Sequence, residues 1–194
     1  MDKLKREDLY SLEKYAEIRP EFRKQVMAHK KTRLVHIGPN VTIHFEDRLV
    51  MQYQIQEMLR AERIYEGEAI QEELGAYNPL IPDGSNWKAT LMIEFEDEHE
   101  RQRQLALLKG LEAATWVRVG TLDRVHPIAN EDLERESEEK TSSVHFLRFE
   151  LTPEMVAAAR DGATIGVGVD HPQYRYEVDA VPEAVRDSLV NDLS

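Results

Sequence analysis

Residues 34–46 read LVHIGPNVTIHFE, and this stretch decides the fold class. Polar and apolar residues alternate on both sides of residues 38–40 (GPN), a triplet typical of a tight turn. Because successive side chains of a strand point to opposite faces of a sheet, the pattern predicts an antiparallel hairpin of strands 34–37 and 41–46. In the second strand we expect Val41, Ile43 and Phe45 to face the core and Thr42, His44 and Glu46 to face outward.

Similar strands recur along the chain, separated by helical stretches. Residues 88–96 alternate strictly and residues 143–151 are strongly apolar, which predicts two further strands. Residues 47–74 carry apolar side chains at helical spacing. Short strands joined by tight turns favour an α+β fold, with a mostly antiparallel sheet and helices packed mainly on one face. In the strand at 88–96, the side chains expected to point outward are Lys88, Thr90, Met92 and Glu94.

The N-terminal part of the chain is predicted to be helical. The Arg19-Pro20 step is expected to divide it into two helices, because the residue before proline disfavours helix and proline suits a first turn. A chain of 194 residues can bury a substantial core. We therefore expect one α+β domain, residues 1–194, made of a helical segment, 1–32, and a sheet-containing body, 33–194.

The composition excludes several classes of protein. The chain has no cysteine, which rules out disulfides, a thiolate nucleophile and cysteine-ligated metal. Its 37 acidic and 25 basic residues give a net charge of −12, which disfavours binding to nucleic acid. No apolar run approaches the ~20 residues of a membrane span, and the charged N-terminus lacks a signal core. We expect a cytoplasmic protein that binds neither nucleic acid nor membrane.

Several segments together resemble the uncharacterised bacterial family named domain of unknown function 3501. That family has no established activity to transfer. Its genes are said to lie beside those for rubrerythrin and an iron–sulfur oxidoreductase, so the resemblance implies a role near iron, peroxide or electron-transfer chemistry with those proteins as partners. The segments that carry it are IGPNVTIHFEDR (37–48), QIQEMLRAERI (54–64), AYNPLIP (76–82), ATLMIEFED (89–97), VHFLRFEL (144–151) and VDHPQY (169–174).

Histidines and carboxylates on the predicted strands suggest a metal site. His44 and Glu46 project to one side of their strand, and Glu94 would join them if the strands are neighbours. His145 lies on another strand. Histidine with carboxylate suits zinc, iron or manganese. The alternative is that these are ordinary surface or hydrogen-bonded side chains, since the chain has neither HExxH nor a Glu-x-x-His pair.

Basic residues are concentrated near the N-terminus. Residues 1–35 carry ten basic and six acidic side chains, a net charge of +4, so the rest of the chain carries −16. The basic side chains could bind an anion or could pair with the acidic body, and both readings stay open. The predicted anion-binding residues are Arg19, Arg23 and Arg33, with Asn78 on a loop that could close over them.

Three hypotheses for the function follow. The first is an accessory or ligand-binding protein, linked by the resemblance to iron or peroxide metabolism. The second is an enzyme acting on a small acidic metabolite, with Glu57 or His44 as base and a divalent metal as a candidate cofactor. The third is a protein–protein adaptor whose acidic run at residues 131–139 attracts a basic partner.

Overall fold

The computed structural model describes residues 2–131, 137 and 140–194. Within them the predicted hairpin is present, with Val35 paired to Ile43 in antiparallel register. Its turn contains Gly38 at φ +71°, and a Cβ there would lie 2.6 Å from the ring of Tyr176. Only glycine fits this turn, because the conformation is left-handed and a tyrosine packs directly on it.

The described strands form two antiparallel sheets. The large sheet has the order β1-β2-β3-β6-β5 and the small sheet has the order β4-β7-β8. The expected α+β class with antiparallel pairing is therefore confirmed, with the strands divided between two sheets. The strands are β1 (Leu34–Ile37), β2 (Val41–Glu46), β3 (Asn86–Ile93), β4 (Thr115–Val119), β5 (Ile128–Ala129), β6 (Val144–Glu150), β7 (Ile165–His171) and β8 (Tyr174–Val178).

The helices flank and connect these strands. Side-chain caps begin several of them: Asp47 and Thr152, for example, each accept a backbone N–H of the first turn. Two short 3-10 turns, Arg6–Asp8 and Asn78–Leu80, lie beside the helical part of the chain. The helices are α1 (Leu12–Lys31), α2 (Arg48–Glu62), α3 (Gly67–Tyr77), α4 (Glu98–Leu107), α5 (Pro153–Arg160) and α6 (Glu183–Val190).

One apolar core is shared by both sheets. The inner face of the large sheet contributes Ile43 and Leu91, and the small sheet contributes Val117 and Val167, all of them fully buried. Side chains from α4, α5 and α6 complete this core. A second apolar cluster forms among α2, α3 and the N-terminal segment, where Leu4 is buried.

The outer face of the large sheet, opposite the shared core, is only partly covered. We define it by the alternate residues of its three central strands. The alternation expected for the hairpin therefore holds, with the apolar positions of β2 in the core. The outer-face residues are Thr42, His44 and Glu46 from β2, Lys88, Thr90 and Met92 from β3, and Val144, Phe146 and Arg148 from β6.

The predicted break at Arg19-Pro20 is wrong, because α1 continues through it. Proline removes one hydrogen bond to the carbonyl four residues earlier, but side chains on both halves of the helix hold its direction. Tyr15 in the first half is fully buried, and the ring of Phe22 in the second half lies 6.1 Å from it and 6.2 Å from Tyr53 of α2. Tertiary packing thus overrides the local preference. No helix in the described residues is long and apolar enough to cross a membrane.

Candidate functional site

Arg19 and Glu57, predicted for anion binding and catalysis, bind each other. Arg19 donates from Nε and Nη2 to the two carboxylate oxygens of Glu57 at 2.7 and 2.8 Å, and Tyr15 Oη donates to the same carboxylate at 2.6 Å. The hydrogen bonds from Arg19, with that from Tyr15, lower the pKa of Glu57 to about 2. A carboxylate so well stabilised in its charged form is a weak base.

Arg33 is buried and joins distant parts of the chain. Its guanidinium donates to the backbone carbonyls of Phe45 and Glu46 and, at 2.5 Å, to the carboxylate of Asp192 near the end of the described chain. It also donates to Ser188 of α6. Burial raises the pKa of Asp192 to about 6, against the opposing effect of Arg33. All of these contacts are internal.

The remaining predicted anion-binding residues lie elsewhere. Arg23 is exposed on α1. The side-chain amide of Asn78 is occupied by the N-terminal segment: Oδ1 accepts Leu4 N–H at 2.8 Å and Nδ2 donates to Leu4 O at 2.9 Å. The structure therefore does not bring Arg19, Arg23, Arg33 and Asn78 into one pocket.

The predicted metal ligands are divided between the two faces of the large sheet. Glu46 accepts a hydrogen bond from Thr90 at 2.6 Å, and burial raises its pKa. His44 lies on the same outer face, where burial lowers its pKa. Glu94, beyond the end of β3, accepts a hydrogen bond from Thr42 at 2.7 Å.

His145 lies apart from them, on the inner face, because it is in register with Leu91 of β3. It is fully buried, with Nε2 at 3.0 Å from Thr141 Oγ1 and Nδ1 at 3.1 Å from Asn130 Nδ2. Across the part of the chain that the structure describes, no three His, Asp or Glu residues are grouped so that they could hold a metal ion.

A cavity of about 440 Å³ opens on the outer face of the large sheet. It lies between β3 and β6 on one side and the end of α3 with the following 3-10 turn on the other. Its lining is mixed, with apolar side chains beside charged ones. The apolar lining residues are Ala76, Pro79, Leu80, Phe146 and Leu147, and the charged ones are Lys3, Lys88, Glu131 and Arg148.

Lys88 is the distinctive side chain of this cavity. It is half-buried on β3, and among the described residues its ammonium has no hydrogen bond or ion pair. Burial lowers its pKa, and the neighbouring charges of Arg148 and Lys3 lower it further, against the opposing effects of Glu131 and Asp83. Among the described residues, this cation of the cavity has no direct counterion.

The other two cations of the cavity are held in place. Arg148 donates from Nε and Nη2 to Glu131 at 2.7 and 2.6 Å, and it also pairs with Glu150. Lys3 Nζ donates one hydrogen bond, 2.6 Å long, to Ile81 O. An ammonium has three donors, so two N–H groups of Lys3 have no acceptor within the described part of the chain and remain for a ligand.

Sequence reasoning placed Lys88 on an outward strand position but gave it no role. The signal was partly visible, since Lys88 and Arg148 both lie on predicted strands. Their proximity could be found only from the strand register, which puts the two residues directly opposite each other. Like charges at such positions repel, so a sequence that places them there calls for an explanation.

The fold and the cavity define an α+β protein with two antiparallel sheets and an open, amphipathic cavity on one of them. The chain belongs to the family described as protein of unknown function (DUF3501), whose model matches residues 3–193. The resemblance inferred from the sequence is therefore confirmed.

The fold is shared with a solved structure. This is a crystal structure of a novel protein of unknown function from Burkholderia pseudomallei, 47% identical, with a TM-score of 0.94 over 100% of both chains. Comparison with curated proteins gives no match. The iron- or peroxide-related role, the partners and the cytoplasmic location expected from the sequence stay predictions.

Proposed function

We propose that this protein binds a small organic acid in the cavity on the large sheet. The observation that carries the proposal is Lys88, a half-buried ammonium without a counterion among the described residues, set in a partly apolar cavity. This is a ligand-binding function of the first kind considered above, at a different place from the predicted arginine cluster.

The electrostatics of Lys88 support an anionic ligand. Removing an ammonium from water is unfavourable unless it is paired or hydrogen-bonded, which is why its pKa is lowered here. A carboxylate bound by the free donors of Lys3 would bring a negative charge into the cavity and offset the unpaired charge of Lys88. Arg148 contributes positive charge, but its guanidinium is already engaged by Glu131 and Glu150.

The apolar lining supports an acid with a hydrophobic body. Phe146 and Leu80 offer aromatic and aliphatic surface beside the charged groups. Cavities that bind small molecules typically enclose about 300–1,000 Å³ and combine apolar walls with a few polar groups. The 440 Å³ observed here fall within that range.

The test is a binding measurement with matched probes. Benzoate and phenylacetate are titrated into the protein by calorimetry, with benzamide as a neutral control. We expect the acids to bind and the amide not to bind. A ligand at 100 times its Kd stabilises the folded state by about 2.7 kcal/mol, so the acids should also raise the Tm.

Two variants localise the binding. Lys88→Gln should abolish it, whereas Lys24→Gln, at an exposed lysine on α1, should leave it unchanged. Binding should also take up protons, because a carboxylate next to Lys88 raises its lowered pKa. Equal binding of acid and amide, or full binding by folded Lys88→Gln protein, would contradict the proposal.

A further inference from the structure

We propose that the organic acid carries a carbonyl group and that the Lys88 amine condenses with it to form an imine. This inference rests on the proposed function and narrows the ligand to the class of oxo acids. It assigns two different tasks to the two lysines of the cavity: Lys3 binds the carboxylate, and Lys88 Nζ meets the carbonyl carbon.

The register of the large sheet places a second positive charge beside Lys88. Lys88 and Arg148 are directly opposite each other on β3 and β6, with their side chains on the same face. Arg148 is fixed in that place by two hydrogen bonds to Glu131, so its charge stays beside Lys88. A fixed guanidinium favours a neutral amine on the neighbouring lysine.

For the reactivity of Lys88, it is equally important that no described residue forms a hydrogen bond or an ion pair with its amine. A lysine that is paired with a carboxylate is held in its protonated form, and a protonated lysine has no lone pair for attack. Within the described residues, Lys88 has no such partner, whereas Lys3 is anchored on Ile81 O. Of the two lysines, Lys88 is therefore the one suited to act as a nucleophile.

The lowered pKa of Lys88 adds to this geometry. Burial, followed by the charges of Arg148 and Lys3, lowers this pKa, and together they outweigh the opposing effects of Glu131 and Asp83. For each unit by which the pKa of a lysine is lowered, the neutral fraction at neutral pH rises about tenfold. The reactive form of Lys88 is thus more populated than that of a surface lysine.

The reaction balances without any further reagent. The nitrogen lone pair of Lys88 forms a bond to the carbonyl carbon, and proton transfer gives a carbinolamine. The carbon–oxygen bond then breaks, and one water molecule leaves as the carbon–nitrogen double bond forms. No electron donor or acceptor takes part. The apolar side chains of Phe146 and Leu80 provide surface for the rest of the ligand.

Reductive trapping tests the inference. The protein is incubated with phenylpyruvate and sodium cyanoborohydride, which adds a hydride to the imine carbon and leaves a stable secondary amine. Digestion and mass spectrometry then locate the adduct. We expect the label on Lys88 in clear excess over exposed Lys24, and phenyllactate, in which a hydroxyl replaces the carbonyl, should compete with labelling and form no adduct itself.

A charge-preserving variant supplies the control. Lys88→Arg keeps a cation at the position but has no primary amine, so it should lose the adduct while its thermal unfolding shows that it is folded. The rate of trapping should also rise with pH around a lower midpoint than the rate at Lys24.

The two proposals fail in different ways. Calorimetric binding of phenylpyruvate without an adduct at Lys88 would overturn the imine and leave the binding function in place. Adducts spread evenly over Lys88 and Lys24 would overturn it as well. Absence of binding by both phenylpyruvate and phenyllactate would overturn the binding function and, with it, the imine.

Discussion

Asp192 shows how strongly a single buried carboxylate can depend on its surroundings. It is 2% exposed and pairs with Arg33, yet its Oδ1 atom has no hydrogen-bond partner among the residues that the structure describes. Burial outweighs the attraction of Arg33 and raises the pKa from 3.8 to about 6. The folded state therefore prefers this carboxyl protonated, and ionising it costs stability.

A pH-dependent stability difference follows for Asp192. A raised pKa contributes stability that is fully present below about pH 4 and is lost as the pH rises through about 6. Asp192→Asn removes this titration and keeps a hydrogen-bonding group beside Arg33. In urea unfolding at several pH values, we expect the free energy of unfolding of wild type to fall relative to the variant between pH 4 and 6. Parallel profiles would contradict the assignment.

The stability contributed by the Arg19–Glu57 pair has the opposite dependence on pH. The lowered pKa of Glu57 contributes stability above about pH 4.5, which is lost as the pH falls towards 2. The pair is partly exposed, so we expect a coupling energy of about 1 kcal/mol between the two side chains. A double-mutant cycle with Arg19→Gln and Glu57→Gln, measured by urea unfolding, gives this value.

The same cycle separates an internal pair from a ligand site. Both single variants should still bind benzoate as wild type does, because the pair is not among the residues that line the cavity. Loss of benzoate binding in Glu57→Gln protein would restore the anion site predicted from the sequence around Arg19.

At this scale the sequence was informative about charge but not about most partners. Charge patterning left pairing between the basic N-terminal residues and the acidic body open as an alternative, and the structure contains such a pair in Arg19 and Glu57. The partner of Arg33 is 159 positions away, and no periodicity reports such a distance. The same limit applies to Lys88, whose neighbours depend on strand register and on the N-terminal segment.

Helix α1 contains one residue, Pro20, whose local preference is against the interior of a helix. Pro20 is exposed in its interior, where it supplies no N–H for the helix. Pro20→Ala restores that donor and a better helix former. Because the helix already has the required direction, we expect the substitution to stabilise the protein by about 1–3 kcal/mol. Chemical denaturation measures the change, and a destabilised variant would contradict this account of α1.

Two glycines, one in a strand and one in a helix, allow a matched comparison of how a Gly→Ala substitution changes stability. Gly168 of β7 faces Trp116, and an added Cβ would lie 2.3 Å from the indole ring. Gly75 lies inside α3 with nothing within 4 Å of the corresponding position. We expect Gly168→Ala to destabilise by about 1–3 kcal/mol through overpacking and Gly75→Ala to stabilise by about 0.5–1 kcal/mol.

Thermal unfolding of both glycine variants checks the comparison, and equal shifts in Tm would contradict it.

Strand and helix types were well predicted because they depend on local periodicity. The end of the helical region was less well predicted: helical spacing was recognised only to residue 74, whereas α3 continues to Tyr77 and the 3-10 turn Asn78–Leu80 follows it directly.

On the scale of the whole molecule, the two sheets share one core and are also joined by polar contacts. Tyr174 of β8 donates from its hydroxyl to Ile37 O of β1 at 2.6 Å and accepts from Asn40 N–H. The expectation of one domain over residues 1–194 can be tested through this connection. Each sheet contains one of the two tryptophans, Trp87 in the large sheet and Trp116 in the small one.

We expect the two sheets to unfold together. In Trp87→Phe protein the remaining fluorescence reports on the small sheet, and in Trp116→Phe protein it reports on the large sheet. Within each variant, urea transitions followed by fluorescence and by circular dichroism should coincide, because the shared core couples the sheets. A separate midpoint for fluorescence in either variant would indicate two independently unfolding units.

The adaptor hypothesis also concerns the whole molecule. It holds that the acidic run at residues 131–139 attracts a basic partner protein. Residues 132–136 and 138–139 lie outside the described residues, so the adaptor hypothesis stays a prediction. Glu131, at the start of the run, is bound to Arg148. It therefore contributes to the wall of the cavity rather than to a free negative surface.

The N-terminal segment forms another part of that wall, and two hydrogen bonds to the amide of Asn78 fasten it there. Because Leu4 is the residue so fastened, the neighbouring Lys3 reaches the cavity only while this attachment holds. A ligand that bridges Lys3 and Lys88 would then slow hydrogen exchange at the Leu4 amide. By thermodynamic reciprocity, a ligand that favours the attached segment is itself bound more tightly when the segment is attached, so a change that leaves the segment mostly detached would weaken ligand binding. The attachment of the N-terminal segment would thus set how tightly the cavity binds a ligand, independently of the sheet that forms another of its walls.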